Sequence, residues 1–287
     1  MAHGRKLVTG AAAAAAAAIG VVALAALQAD GRLLERTKSV TVPVDTGPGG
    51  TASATARCPR GKRVVFGGLD VPLSVEDVTI THLKRAPGRG WRAGAVNYDA
   101  DEEATLRSIA YCGSLKDIRA RERTVKVPEQ GQGERPVTVT AQCRRGERLA
   151  FGGFDYDQGA QPGQTNDAYL SELRRKGKRG WQVGAFNFTG EAPLTAIAYC
   201  SQHAPRTTTV EEGVNVDPSG RGRVNAKCEG GERLAFGGYK ADVTHSRAFI
   251  LLRSLKRTSG RAWQVSARST NAQGAGDLTA FAYCAKQ

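Results

Sequence analysis

The sequence predicts an all-β protein of three tandem repeats, about six strands each, behind one apolar N-terminal helix. Three observations carry that expectation. The pattern Cys58-x-x-Gly61-x-Arg63-x-x-Phe66-Gly67-Gly68 returns as Cys143-x-x-Gly146-x-Arg148-x-x-Phe151-Gly152-Gly153, and again as Cys228-x-x-Gly231-x-Arg233-x-x-Phe236-Gly237-Gly238. Each copy then holds one Trp (Trp91, Trp181, Trp263) and closes on Ala-Tyr-Cys at Cys112, Cys200 and Cys284. Beyond residue 30 no window sustains a 3.6-residue apolar period, whereas short alternating stretches recur. Self-similarity of this density divides the chain into repeats at 37–114, 122–202 and 206–287.

Residues 1–29 come first. Arg5 and Lys6 precede an uncharged, Ala-rich run of 21 residues from Leu7 to Leu27. A basic start, an apolar stretch and small residues up to Ala25 or Ala29 read as a signal peptide. As a helix rising 1.5 Å per residue, the same run reaches roughly 30 Å, which suits an uncleaved membrane anchor. Both readings place the repeats in the secreted space or on the extracellular face of the membrane.

Within the first repeat, Val40, Val42 and Val44 alternate, and Ala52, Ala54, Ala56 and Cys58 follow. The stretches 63–68, 77–84, 91–97 and 105–112 are short, β-prone and bounded by Gly, Pro or charge. The closing strand puts Leu106, Ser108, Ala110 and Cys112 on one face, with Ile109 and Tyr111 on the other. Neither face is charged in its last residues, so a central strand covered on both sides is expected. Beside each Trp stand small residues, such as Ala93 and Ala95, which leave room for an indole lying flat on a sheet. Trp91, Trp181 and Trp263 therefore read as core pins, with a surface stacking role as the alternative. The paired Gly after each Phe reads as a bulge or a close backbone approach, since no phosphate-loop spacing or following helix accompanies it.

Six Cys allow 15 pairings, and the repeat selects the first with the second Cys of each copy: Cys58–Cys112, Cys143–Cys200 and Cys228–Cys284. An exported chain makes oxidation the natural state. Zinc binding fails on spacing, because there is no Cys-x-x-Cys pair and no recurring His, so neither metal nor cofactor is expected. Two architectures fit: three disulfide-stapled β-sandwich-like units, or a single pseudo-threefold β-prism.

No catalytic set repeats. Asp70 and Asp155 align, but the third copy has Lys240; His82, His203 and His245 have no equivalents; no Gly-x-Ser-x-Gly elbow occurs. A non-enzymatic role is expected, with a hydrolase confined to one repeat as a minor alternative. The charge is more informative. The chain carries a formal +14, of which Arg5 and Lys6 supply two. Three short segments around the Trp residues carry +13, which accounts for all of the rest and leaves the remaining chain at −1. They contain Lys84, Arg85, Arg89 and Arg92; Arg174, Arg175, Lys176, Lys178 and Arg179; and Arg253, Lys256, Arg257 and Arg261, with no acid among them. Repeated basic hairpins suit an anionic polymer or surface: a cell-wall polyanion, an anionic glycan or anionic lipid head groups. Nucleic acid is the weaker match for an exported chain. Solvated hairpin tips that merely protect sheet edges are the bland alternative.

The run Cys58-Pro59-x-Gly61, then Gly67-Gly68, Trp91, Ala95, Asn97 and Tyr111, resembles a repeated motif of uncharacterised secreted actinomycete proteins. It also resembles a module of some phage and pilus-tip adhesins. Pro59 becomes Arg144 and Glu229 in the later copies, and Asn97 and Asn187 become Ser269. The resemblance implies an extracellular disulfide-bonded β protein with an adhesive role and assigns no catalytic residue. A looser similarity to the vitelline membrane outer layer family underlies the β-prism alternative. Binding or adhesion at the cell surface is the expected function, and a structural envelope protein without a specific ligand is the second.

Overall fold

The computed structural model describes residues 38–47, 50–72, 77–99, 101–130, 135–156, 168–243, 249–270 and 275–286. The expected signal or anchor helix at 1–29 lies outside them. The described residues form 18 strands and no helix, six strands to each repeat. The first repeat holds β1 (Lys38–Thr46), β2 (Thr51–Arg57), β3 (Arg63–Asp70), β4 (Val78–Ala86), β5 (Gly90–Asn97) and β6 (Ala104–Gly113). The second holds β7 (Arg119–Val127), β8 (Val137–Gln142), β9 (Arg148–Tyr156), β10 (Ala168–Lys176), β11 (Gly180–Asn187) and β12 (Ala192–Ser201). The third holds β13 (Thr208–Val216), β14 (Arg221–Lys227), β15 (Glu232–Val243), β16 (Ile250–Arg257), β17 (Ala262–Ser269) and β18 (Gly276–Lys286).

Each repeat folds into two three-stranded layers that pack on one another. In the first repeat these are β1-β6-β3 and β2-β5-β4, joined across the layers by Cys58–Cys112. Cys143–Cys200 and Cys228–Cys284 do the same in the others. Neither layer ends at its repeat. β4 pairs with β9, β10 with β15, and β16 with β3, all antiparallel. Three six-stranded sheets result, in the orders β1-β6-β3-β16-β17-β14, β2-β5-β4-β9-β12-β7 and β13-β18-β15-β10-β11-β8. Every sheet is half one repeat and half its neighbour, and the third repeat returns to the first. The sandwich-like unit and the pseudo-threefold body are thus the same structure at two scales. A single hydrophobic core runs through all three repeats.

The repeated motif supplies the joints. The indoles of Trp91, Trp181 and Trp263 are buried, 1–3% exposed, which leaves them in the core rather than on a surface. Each lies on the first Gly of the pair: a Cβ on Gly67, Gly152 or Gly237 would sit 1.9–2.1 Å from the ring of its own repeat's Trp. The second Gly admits the neighbouring repeat. A Cβ on Gly68, Gly153 or Gly238 would fall 2.1–2.4 Å from the backbone carbonyl of Leu255, Leu83 or Leu173. A register shift in β3, β9 and β15, just before each Phe-Gly-Gly, accompanies this approach. Each Trp also meets the next repeat edge-on, with Trp91 on Phe151, Trp181 on Phe236 and Trp263 on Phe66 at 6.1–6.3 Å between centroids.

The closing strands β6, β12 and β18 lie inside their sheets, and their last residues are buried on both faces. Strand direction then sorts the connections. Lys38 faces Cys112 and Arg57 faces Gly90, so β1 opens, and β2 and β6 close, at the disulfide end. Because the repeats pair antiparallel through their third and fourth strands, all three disulfides and all three Trp hairpins share that end.

Candidate anion-binding face

The basic hairpins divide into cations that close the ring and cations that face solvent. Arg85, Arg175 and Arg257 hold equivalent places near the ends of β4, β10 and β16. Their backbone N–H groups each donate to a closing Tyr hydroxyl of the next repeat, Tyr199, Tyr283 and Tyr111, all at 2.7 Å. Their guanidinium groups lie over the same rings at 5.9, 4.9 and 4.9 Å. Burial pushes the Tyr111 hydroxyl up to about 12, so it stays a neutral donor–acceptor across the physiological range.

One residue earlier stand Lys84, Arg174 and Lys256. Lys84 pairs with Asp155, and Lys256 with Asp70 at 2.8 Å. The third junction presents Lys240 in place of the acid. There, Arg174 pairs with Glu172 two residues back on its own strand, and Lys240 pairs with Asp242. The acids that align in two repeats only are therefore partners at the junctions. Arg92 donates to the Thr55 hydroxyl, and Arg261 to the Cys228 carbonyl at 2.6 Å. Arg253 departs from the expected set. It occupies the bulge position of β16, is wholly buried and donates to the Val78 carbonyl at 2.5 Å, so it cannot meet a ligand at the surface.

Arg89, Lys176, Lys178 and Arg179 remain exposed at the hairpin tips. The fold adds cations that charge counting around the Trp residues missed. The Cys58 N–H donates to the Arg89 carbonyl at 2.8 Å and the Cys143 N–H to the Arg179 carbonyl at 3.0 Å, so each post-Cys loop lies beside its hairpin. That brings Arg60, Arg144 and Arg145 onto the same face, exposed. Lys116 and Arg206, in the links between repeats, join them, with one exposed acid, Asp117, beside Lys116. The third repeat contributes Glu229 in its post-Cys loop, so the positive face belongs to repeats one and two. The opposite end is acidic: Asp77, Asp99, Asp101, Glu102, Glu103, Glu129, Glu191 and Asp217 lie in its described connections, against Arg135.

The chain matches no family model and no curated protein.

One polar row on an outer face bears on catalysis. Ser53 Oγ lies 3.2 Å from His82 Nε2, and Asp155 stands opposite His82 in register. The second ring nitrogen faces the Thr81 hydroxyl at 3.2 Å, and Asp155 is held by Lys84. A nucleophile–base–acid relay needs the acid on that second nitrogen, and it is engaged elsewhere. Burial pushes the imidazole down to about 4, which keeps it neutral at ordinary pH. Among the described residues no cluster of His, Cys, Asp and Glu has the arrangement of a metal site.

Proposed function

We propose that this is a non-catalytic binding or adhesion protein of the secreted space or outer cell surface, which holds anionic envelope polymers or surfaces through its disulfide end. The observation that carries this reading is the separation of charge along the body, with exposed Arg60, Arg89, Arg144, Arg145, Lys176, Lys178 and Arg179 at one end and the acidic connections at the other. Charge used only to solubilise connections or guard edges would not require opposite signs at the two ends. Three disulfides fit an oxidising compartment, which supports export, and the signal-like residues 1–29 point the same way. The resemblance to secreted adhesin-like repeats agrees with it.

The test is binding of the full chain to immobilised heparin and to polyphosphate, with neutral dextran as control. Retention on the anionic polymers and none on dextran is expected. The triple replacement Lys176→Gln, Lys178→Gln and Arg179→Gln should weaken retention without lowering the melting temperature, because no junction contact is lost. Equal retention of the triple variant would contradict the assignment of these residues.

A further inference from the structure

We infer that the disulfide end faces an anionic lipid bilayer, into which the chain ahead of β1 leads. This rests on the anion-binding reading above and names its partner. Lys38 opens β1 opposite Cys112, so the point at which the chain enters the folded body lies at its basic end. The uncharged run Leu7–Leu27 is long enough to span a bilayer, and ten residues, 28–37, separate it from β1. Those ten, fully extended, reach at most about 35 Å. That stretch carries no net charge, with Arg32 and Arg36 balanced by Asp30 and Glu35, so the attraction rests on the folded body. A body tethered this way presents Arg60, Arg89, Lys176, Lys178 and Arg179 to the surface and carries the acidic end away from it. Equivalent register at the three junctions sets the hairpin tips at one level, and the cations of the first two repeats give that level a basic side suited to a flat sheet of phosphate head groups. A soluble polymer would require neither the shared level nor the shared end. Basic residues near an anionic membrane each strengthen binding by about fivefold, an effect confined to roughly a Debye length.

Lysine acylation footprinting of the full chain, read by mass spectrometry, tests this. The probes are phosphatidylglycerol–phosphatidylcholine vesicles, phosphatidylcholine vesicles and soluble heparin. We expect Lys116, Lys176 and Lys178 to be protected severalfold on the anionic vesicles, while Lys126 at the acidic end stays reactive. The same lysines should stay reactive on the neutral vesicles. Equal protection on neutral vesicles would assign the effect to the apolar segment alone and overturn the inference. Protection of Lys126 together with the others would overturn the orientation. Protection by heparin without protection by anionic vesicles would overturn the membrane partner and leave the anion-binding reading standing. No protection by either would overturn both.

Discussion

The Tyr199 hydroxyl accepts the Arg85 backbone N–H at 2.7 Å, which ties the last strand of the second repeat to the fourth strand of the first. Tyr283 and Tyr111 make the same bond at the other two junctions, to Arg175 and Arg257. Replacing any one by Phe removes a single hydrogen bond worth about 1 kcal/mol. In a body of this size that lowers the melting temperature by roughly 2–4 °C. Tyr111→Phe acts where the third repeat returns to the first. If the ring is closed, it should shift one cooperative transition just as Tyr199→Phe does. A separate early transition in calorimetry for Tyr111→Phe would contradict closure.

The paired glycines give a sharper test of packing. A Cβ on Gly152 would enter the Trp181 ring at 1.9 Å. Gly152→Ala should cost about 3 kcal/mol or more, or prevent folding, because overpacked cores relax poorly. Gly152→Ala combined with Trp181→Leu should recover part of that loss, despite the cavity that Trp181→Leu alone creates. Denaturant unfolding of the three variants checks this. Additive losses would show that the two positions are not coupled.

His82 introduces an acid-sensitive step. Its imidazole is held down to about 4, chiefly by burial, with Lys84 and Arg92 adding to the effect and Asp155 opposing it. An unfolded His takes up its proton near 6.5, whereas the folded one resists until about 4. The contribution of His82 to stability is therefore complete above about pH 6.5 and is lost as the pH falls toward 4. His82→Gln should lose less stability than the parent between those limits. Parallel pH profiles of the unfolding midpoint would contradict this.

The junction between the second and third repeats uses Glu172 with Arg174 where the others use a third-strand Asp. The exchange can be transplanted. Asp155→Lys alone leaves Lys84 facing a like charge, and adding His82→Glu supplies the alternative partner. These side chains are partly exposed, 29% and 36% for Lys84 and Asp155, so the single change should cost only about 0.5–1 kcal/mol. The double variant should regain most of it. A double variant less stable than the single would show that the two arrangements are not interchangeable.

Much of this was legible from residue order. Period-two alternation located the strands: the expected 63–68, 77–84, 91–97 and 105–112 fall within or against β3, β4, β5 and β6. The Cys spacing identified the disulfides, and small neighbours placed the Trp residues in the core. Alternation fixes a strand's faces but not its neighbour. The exchange of layers was therefore hidden, although Gly68 and the closing Tyr residues mark it once Leu255 and Arg257 are seen beside them. Charge counting treated the basic hairpins as one class. It could not separate Arg253, buried at a bulge where Thr81 and Ser171 stand in the other repeats, from Arg179 at an exposed tip. Nor could it bring Arg60, Arg144 and Arg145 to the hairpins, because that proximity depends on the bond from each Cys N–H to a hairpin carbonyl.

The most direct test of the central claim is the salt dependence of retention on immobilised heparin, measured for the full chain and for the variant Lys176→Gln, Lys178→Gln, Arg179→Gln. Exposed cations on an anionic surface should lose affinity steeply, by about tenfold or more, as salt rises from roughly 0.05 to 0.2 M and the Debye length shortens. The variant should bind more weakly at low salt and show a shallower dependence, with an unchanged melting temperature. Affinity indifferent to salt, or identical in the two proteins, would contradict the account.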